Sequence, residues 1–173
     1  MNATSATTLH GGKGQAGDPL ALHTPVQFDR TLVSRLLGAH EALNARFAAL
    51  VVELDRDAPA TLPAVDACAE QLHELRRSES MWLYPVLARC VQDDTDARAQ
   101  LVQLRLNMLT GARRIFRHFE ELTAALRTGS DFRAAAGRLS AALAEYLRRN
   151  ETEIYPLYDF VGARVALAQV QAA

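Results

Sequence analysis

The stretch DDTDARAQLVQLRLNMLTGARRIFRHFEELTAALRTG, Asp93 to Gly129, decides the fold. Leu101, Leu104, Met108, Ala112, Ile115, Leu122 and Leu126 recur at helical steps of three, four and seven residues, which aligns them on one stripe of an α-helix and on no face of a strand. Asp93, Asp94 and Thr95 offer side-chain oxygens to the free N–H groups of the first turn, and Gly129 ends the run. The segment predicts one long amphipathic helix whose apolar stripe needs other helices to cover it.

The flanks supply them. Upstream, Phe28, Leu32, Leu36, Leu43, Phe47, Leu50 and Leu54 form a first stripe that breaks at Asp55 to Pro59. Pro63 suits the first turn of a second helix, where its missing N–H is not needed, and Val65, Cys68, Leu72, Leu75, Trp82, Val86 and Cys90 follow at helical spacing. Pro85 lies inside that stripe and predicts a kink or a break one turn earlier. Downstream, Ser130 and Asp131 open a fourth helix through Phe132, Ala136, Leu139, Leu143, Leu147, Ile154, Leu157 and Val161, fraying after Gly162. Short connections between four long helices favour antiparallel neighbours, so the expected fold is all-α, an antiparallel up-and-down four-helix bundle. Residues 1–26, rich in Gly and Pro with no apolar period, read as a disordered tail, residues 27–166 as the bundle and 167–173 as a fraying C-terminus.

With 173 residues and 49% apolar composition the chain is sized for one domain. A formal charge of -1 gives no positive field to draw nucleic acid or an anionic membrane, and neither is expected as a partner. No apolar run approaches the roughly 20 residues of a membrane span, and no secretory signal is legible, so the expected location is cytoplasmic. There Cys68 and Cys90 would be reduced thiols, read as core packing. Gly-rich phosphate loops, nucleophile elbows and paired CxxC motifs are missing, which removes most enzyme classes and leaves a non-enzymatic protein as the expectation.

Polar residues that interrupt buried stripes carry the functional signal, because burying such a group costs roughly 2 to 7 kcal/mol unless something satisfies it. His40 sits between Leu36 and Leu43, Glu79 between Leu75 and Trp82, His118 between Ile115 and Leu122, and Glu151 between Leu147 and Ile154. Converging at one level of a bundle, these four make a cluster of two histidines and two glutamates suited to iron, manganese or zinc. His73, two residues before Leu75, points away from that face toward solvent. The other reading of the cluster is metal-free: Arg114, one turn before His118, pairs with Glu79 or Glu151, and Tyr146 donates to the remaining carboxylate.

These residues resemble the hemerythrin-like HHE cation-binding domain family over about residues 28–160. The resemblance rests on His40 in helix one, Glu79 followed by Leu83-Tyr84-Pro85 in helix two, His118 in helix three, and Glu151 followed by Ile154-Tyr155-Pro156 in helix four. It implies a four-helix bundle around non-haem iron held by His and bridging carboxylates, with a sensing, storage or regulatory role. The pattern is incomplete: Leu75 and Tyr146 stand where the family places further histidines, Arg114 where it offers another ligand, and Asn150 where many members carry the acid. A weaker resemblance, on Asp29-Arg30 and the long later helices, is to the Rsd/AlgQ anti-sigma family. It implies a metal-free bundle that sequesters a protein partner, with Asp93, Asp94 and Asp96, or Glu120 and Glu121, as the contact surface. A homodimer is a third arrangement, hinted at by the adjacent apolar pair Trp82 and Leu83.

Overall fold

The computed structural model describes residues 28–171, with side chains for all of these except Pro59 and residues 164–171; the tail expected over residues 1–26 lies outside them. Four antiparallel helical rods pack up and down around one core. α1 is Leu32–Leu54. α2 covers residues 62–90 as Leu62–Ser78, a wide turn Glu79–Leu83 and Tyr84–Cys90, after a short 3-10 turn Pro59–Thr61. α3 is Thr95–Thr128. α4 covers residues 132–171 as Phe132–Arg149, a second wide turn Asn150–Ile154 and Tyr155–Gln171. The last helix thus continues past the expected boundary at residue 166.

The expected caps operate. Asp94 accepts from the N–H groups of Asp96 and Ala97 at 3.1 and 2.9 Å, and Asp131 accepts from Ala134 at 3.0 Å. Gly129 takes a left-handed φ of 68°, which lets the N–H groups of Gly129 and Ser130 reach Ala125 O and close α3. Leu43, Leu50, Leu72, Leu83, Ile115, Leu122, Leu139, Leu143 and Leu147 are buried at the centre. Each such side chain contributes about 1.5–3 kcal/mol of transfer free energy.

Both wide turns are π-helical, and each immediately precedes a Tyr-Pro pair. Proline has no N–H and its ring crowds the carbonyl four residues back, so an undistorted α-helix cannot pass through Pro85 or Pro156. The chain inserts one residue instead: the N–H of Tyr84 donates to Glu79 O and that of Tyr155 to Asn150 O, five residues back. The break expected before Pro85 is this turn, and Pro156 makes the second.

An inserted residue advances the helix by about 100° and rotates every later side chain relative to a straight helix. This corrects four expectations. In α2 the buried series passes from Leu72, Leu75 and Glu79 to Leu83, Val86 and Leu87, leaving Trp82 49% exposed and Cys90 at the surface, while Cys68 is buried as expected. In α4 it passes from Leu143, Leu147 and Asn150 to Ile154, Tyr155 and Tyr158, leaving Glu151 and Leu157 exposed. Gly162 does not end the helix: the Phe28 ring, stacked on Tyr158 at 4.9 Å, lies against the Gly162 backbone where a Cβ would stand.

Candidate functional site

Among the described residues the buried polar ones are His40, Thr61, Glu79 and Asn150, and two of the four candidate ligands are among them. Glu79 opens the π turn of α2 and points into the core beside α4. There it meets Tyr155, which follows the π turn of α4, and Tyr146, a residue two to three turns earlier. The Tyr155 hydroxyl oxygen lies 2.9 Å from Glu79 Oε1, and the Tyr146 hydroxyl donates to Oε2 at 2.9 Å. From α1, His40 places Nε2 2.8 Å from the same Tyr155 oxygen and Nδ1 2.9 Å from Glu151 Oε1. Three elements are tied by one continuous chain of hydrogen bonds, Tyr146 to Glu79 to Tyr155 to His40 to Glu151.

Electrostatics follow from burial. Desolvation pushes the Glu79 carboxyl up to about 7, against the opposing pull of the two tyrosine hydroxyls and of nearby Arg76. Burial holds His40 below its ordinary value despite the Glu151 carboxylate. Tyr146 and Tyr155 are both raised, first by burial and then by the Glu79 charge.

Counting protons on this chain leaves two complete arrangements, because the Tyr155 hydroxyl has one hydrogen to give. In one, Glu79 is protonated and donates to Tyr155, which donates to a neutral His40, whose Nδ1–H reaches Glu151. In the other, Tyr155 donates to an ionised Glu79 and receives from an imidazolium. The burial that raises Glu79 and lowers His40 favours the first, in which neither group is charged. The two differ only by one proton relayed through Tyr155.

His118 stands apart. Its Nδ1 pairs with Glu121 Oε2 at 3.0 Å, one turn along the same helix, and Glu121 also faces Arg138 at 3.5 Å. α3 meets the network over residues 105–111, where Arg105 and Met108 line the space beside Glu79 and Gly111 packs against the Tyr146 ring. His118 lies seven residues beyond, about 10 Å along the axis at 1.5 Å per residue. In antiparallel rods the level of a residue is set by where each helix starts, and a match of sequence order between the two halves does not fix it. Arg114 is exposed, and the arginines that line the space beside Glu79 are Arg76 and Arg105. Tyr146 does donate to the remaining carboxylate, as the metal-free reading has it, and His73 is exposed as expected, stacked on Phe116 at 4.0 Å.

The donor set does not fit an iron pair as arranged. Both Glu79 oxygens and both His40 nitrogens are already engaged, Glu151 is at the surface and His118 is on another level. Among the described residues no three His, Cys, Asp or Glu side chains form a metal-sized group. The void beside Glu79, lined by Arg76, Ser80, Tyr84, Arg105 and Tyr146, is about 10 Å³, room for one water at most.

Tyr155 is the functional residue that stripe reading passes over. Its signal was the repeated Tyr-Pro: each π turn begins six residues before a proline, so Glu79 and Asn150 are equivalent, as are Tyr84 and Tyr155. Asn150 is fully buried, and its side-chain amide has no hydrogen-bond partner among the described residues. The two halves share a backbone device and differ in chemistry.

No helix among the described residues is long and apolar enough to cross a membrane. Comparison with family models, with curated protein sequences and with solved structures gave no match.

Proposed function

We propose that this chain is a metal-free regulatory bundle that acts by binding a protein partner, with a tyrosine–histidine–glutamate network where hemerythrin-like proteins carry metal. The observation that supports this most is the saturation of Glu79 and His40 by hydroxyl and carboxylate partners on α4. A metal has to displace at least two of those hydrogen bonds and leave the buried hydroxyls of Tyr146 and Tyr155 to find other partners. Among the described residues the void beside Glu79 has room for one water at most, and the role we assign to the network is to lock the register of three helices.

Metal content of the chain purified without chelator, followed by titration with iron(II), manganese(II) and zinc(II), tests this. Substoichiometric metal is expected, with a melting temperature that neither added metal nor chelator moves, since a ligand of the folded state would raise it by mass action. Metal near one per chain that vanishes in both His40→Ala and Glu79→Ala overturns the proposal in favour of a metal-binding sensor or store.

A further inference from the structure

The rotation imposed by the π turns leaves apolar side chains on the outside of the bundle. Leu157 is 43% and Phe160 63% exposed. With Leu87, Val91, Leu101 and Leu104 they line a groove of about 640 Å³ between the end of α2, the first turns of α3 and the last part of α4. A contiguous apolar hollow of this kind marks an interaction surface.

Its rim is acidic. Asp93 stands on the α2–α3 connection near the lining residue Val91, Asp96 in the first turn of α3 next to the lining residue Ala97, and Asp159 directly precedes Phe160. All three are exposed, and none joins an ion pair among the described residues. Arg89 and Arg98, on the same turns as the groove, are half-buried, whereas the three aspartates are exposed.

We propose that this groove docks one amphipathic helix of a partner protein, apolar on one face and rich in lysine or arginine along its edges. The proposal rests on the partner-binding reading above and names the partner's chemistry. Helix-in-groove recognition uses apolar anchors at i, i+3 or i+4 and i+7, and the acidic rim sets the partner's charge. A second copy of this chain is disfavoured, because a two-fold contact would set Asp93, Asp96 and Asp159 against an identical acidic rim. Residues 1–27 carry Lys13 and Asp18 as their only Lys, Arg, Asp or Glu and offer no basic edge. Anionic lipid headgroups would be repelled.

The probe is a fluorescein-labelled leucine–lysine amphipathic peptide of four helical turns, with its leucine–glutamate counterpart as control, read by anisotropy against the full chain. The lysine peptide is expected to bind and the glutamate peptide not. Phe160→Asp, a change at an exposed site, weakens binding by about tenfold or more, the size of effect a groove anchor has. Combined Asp93→Asn, Asp96→Asn and Asp159→Asn weakens it severalfold and flattens its salt dependence, while Trp82→Ala, outside the groove, leaves it unchanged. Equal binding of both peptides, or of neither, overturns the proposal. Binding that survives Phe160→Asp also overturns it but leaves the partner-binding reading standing, whereas stoichiometric metal in the preceding test defeats that reading independently of the peptide. A dimer in sedimentation that Phe160→Asp dissolves reassigns the groove to a second copy.

Discussion

Tyr155 is the residue on which the network turns, since its oxygen is shared between His40 and Glu79. Tyr155→Phe keeps the ring and removes the hydroxyl, leaving a buried carboxylate oxygen and an imidazole nitrogen unpaired. Stability is expected to fall by about 2–3 kcal/mol, read by urea unfolding; a loss below about 0.5 kcal/mol would mean the hydroxyl holds nothing. Glu79 sets the pH dependence. Its carboxyl takes a proton at about 7 when folded and at 4.5 ordinarily, so between those values the folded chain holds more protons than the unfolded one. Stability from this group is therefore full below 4.5 and is lost as pH rises toward 7, by about 3 kcal/mol in all. His40, held below its ordinary value, acts in the opposite sense: its contribution is present above 6.5 and lost as pH falls. In Glu79→Gln the downward slope disappears and only the histidine's rise toward neutral pH remains, checked by unfolding free energies at pH 5, 6, 7 and 8. Of the site's residues, His40 and Glu79 were legible as polar breaks in an apolar stripe, because their spacing is local. Tyr155 was not, since a tyrosine beside an apolar series reads as core until its hydroxyl is seen to have partners.

At the level of elements, the two π turns determine which side of each long helix becomes core. Deleting Thr152, an exposed residue inside the second turn, should return α4 to unbroken α-helix with Leu139, Leu143 and Leu147 and the later Tyr155 and Tyr158 all still facing inward. The cost is then the crowding of the Pro156 ring against the preceding turn, about 3 kcal/mol. Deleting Arg117 from the middle of α3, which has no such turn, rotates everything after it by about 100° and should abolish cooperative folding. Circular dichroism melts of the two deletions check this, and equal damage from both would show that the π turn does not act as an inserted residue. Pro85 disclosed its break in advance because proline's missing N–H acts locally. The break did not disclose its form: a kink, a stop and a π turn remove the same hydrogen bond, and only packing against the neighbouring rods selects the one that keeps both halves of the helix buried.

For the molecule as a whole, one continuous core joins all four rods, from Leu36 and Leu50 in α1 to Leu143 and Tyr158 in α4. A single cooperative transition is expected, with Trp82 fluorescence and helical ellipticity superimposing in denaturant; separated midpoints would mean that the two helix pairs unfold independently. The all-α class, the four rods and the ends of α3 were determined by the sequence itself, because apolar period, Asp94, Gly129 and Asp131 act within one or two turns of chain. Which candidate ligands meet was decided only by the tertiary structure. That outcome depends on axial level and rotational phase between distant segments: α3 runs on until His118 is well past Tyr146, and one inserted residue in α4 exchanges Glu151 for Asn150 at the core. Offsets of one residue in phase and a few residues in level are invisible to periodicity, yet they separate a convergent cluster of four ligands from a hydrogen-bonded chain of two tyrosines, a histidine and two glutamates.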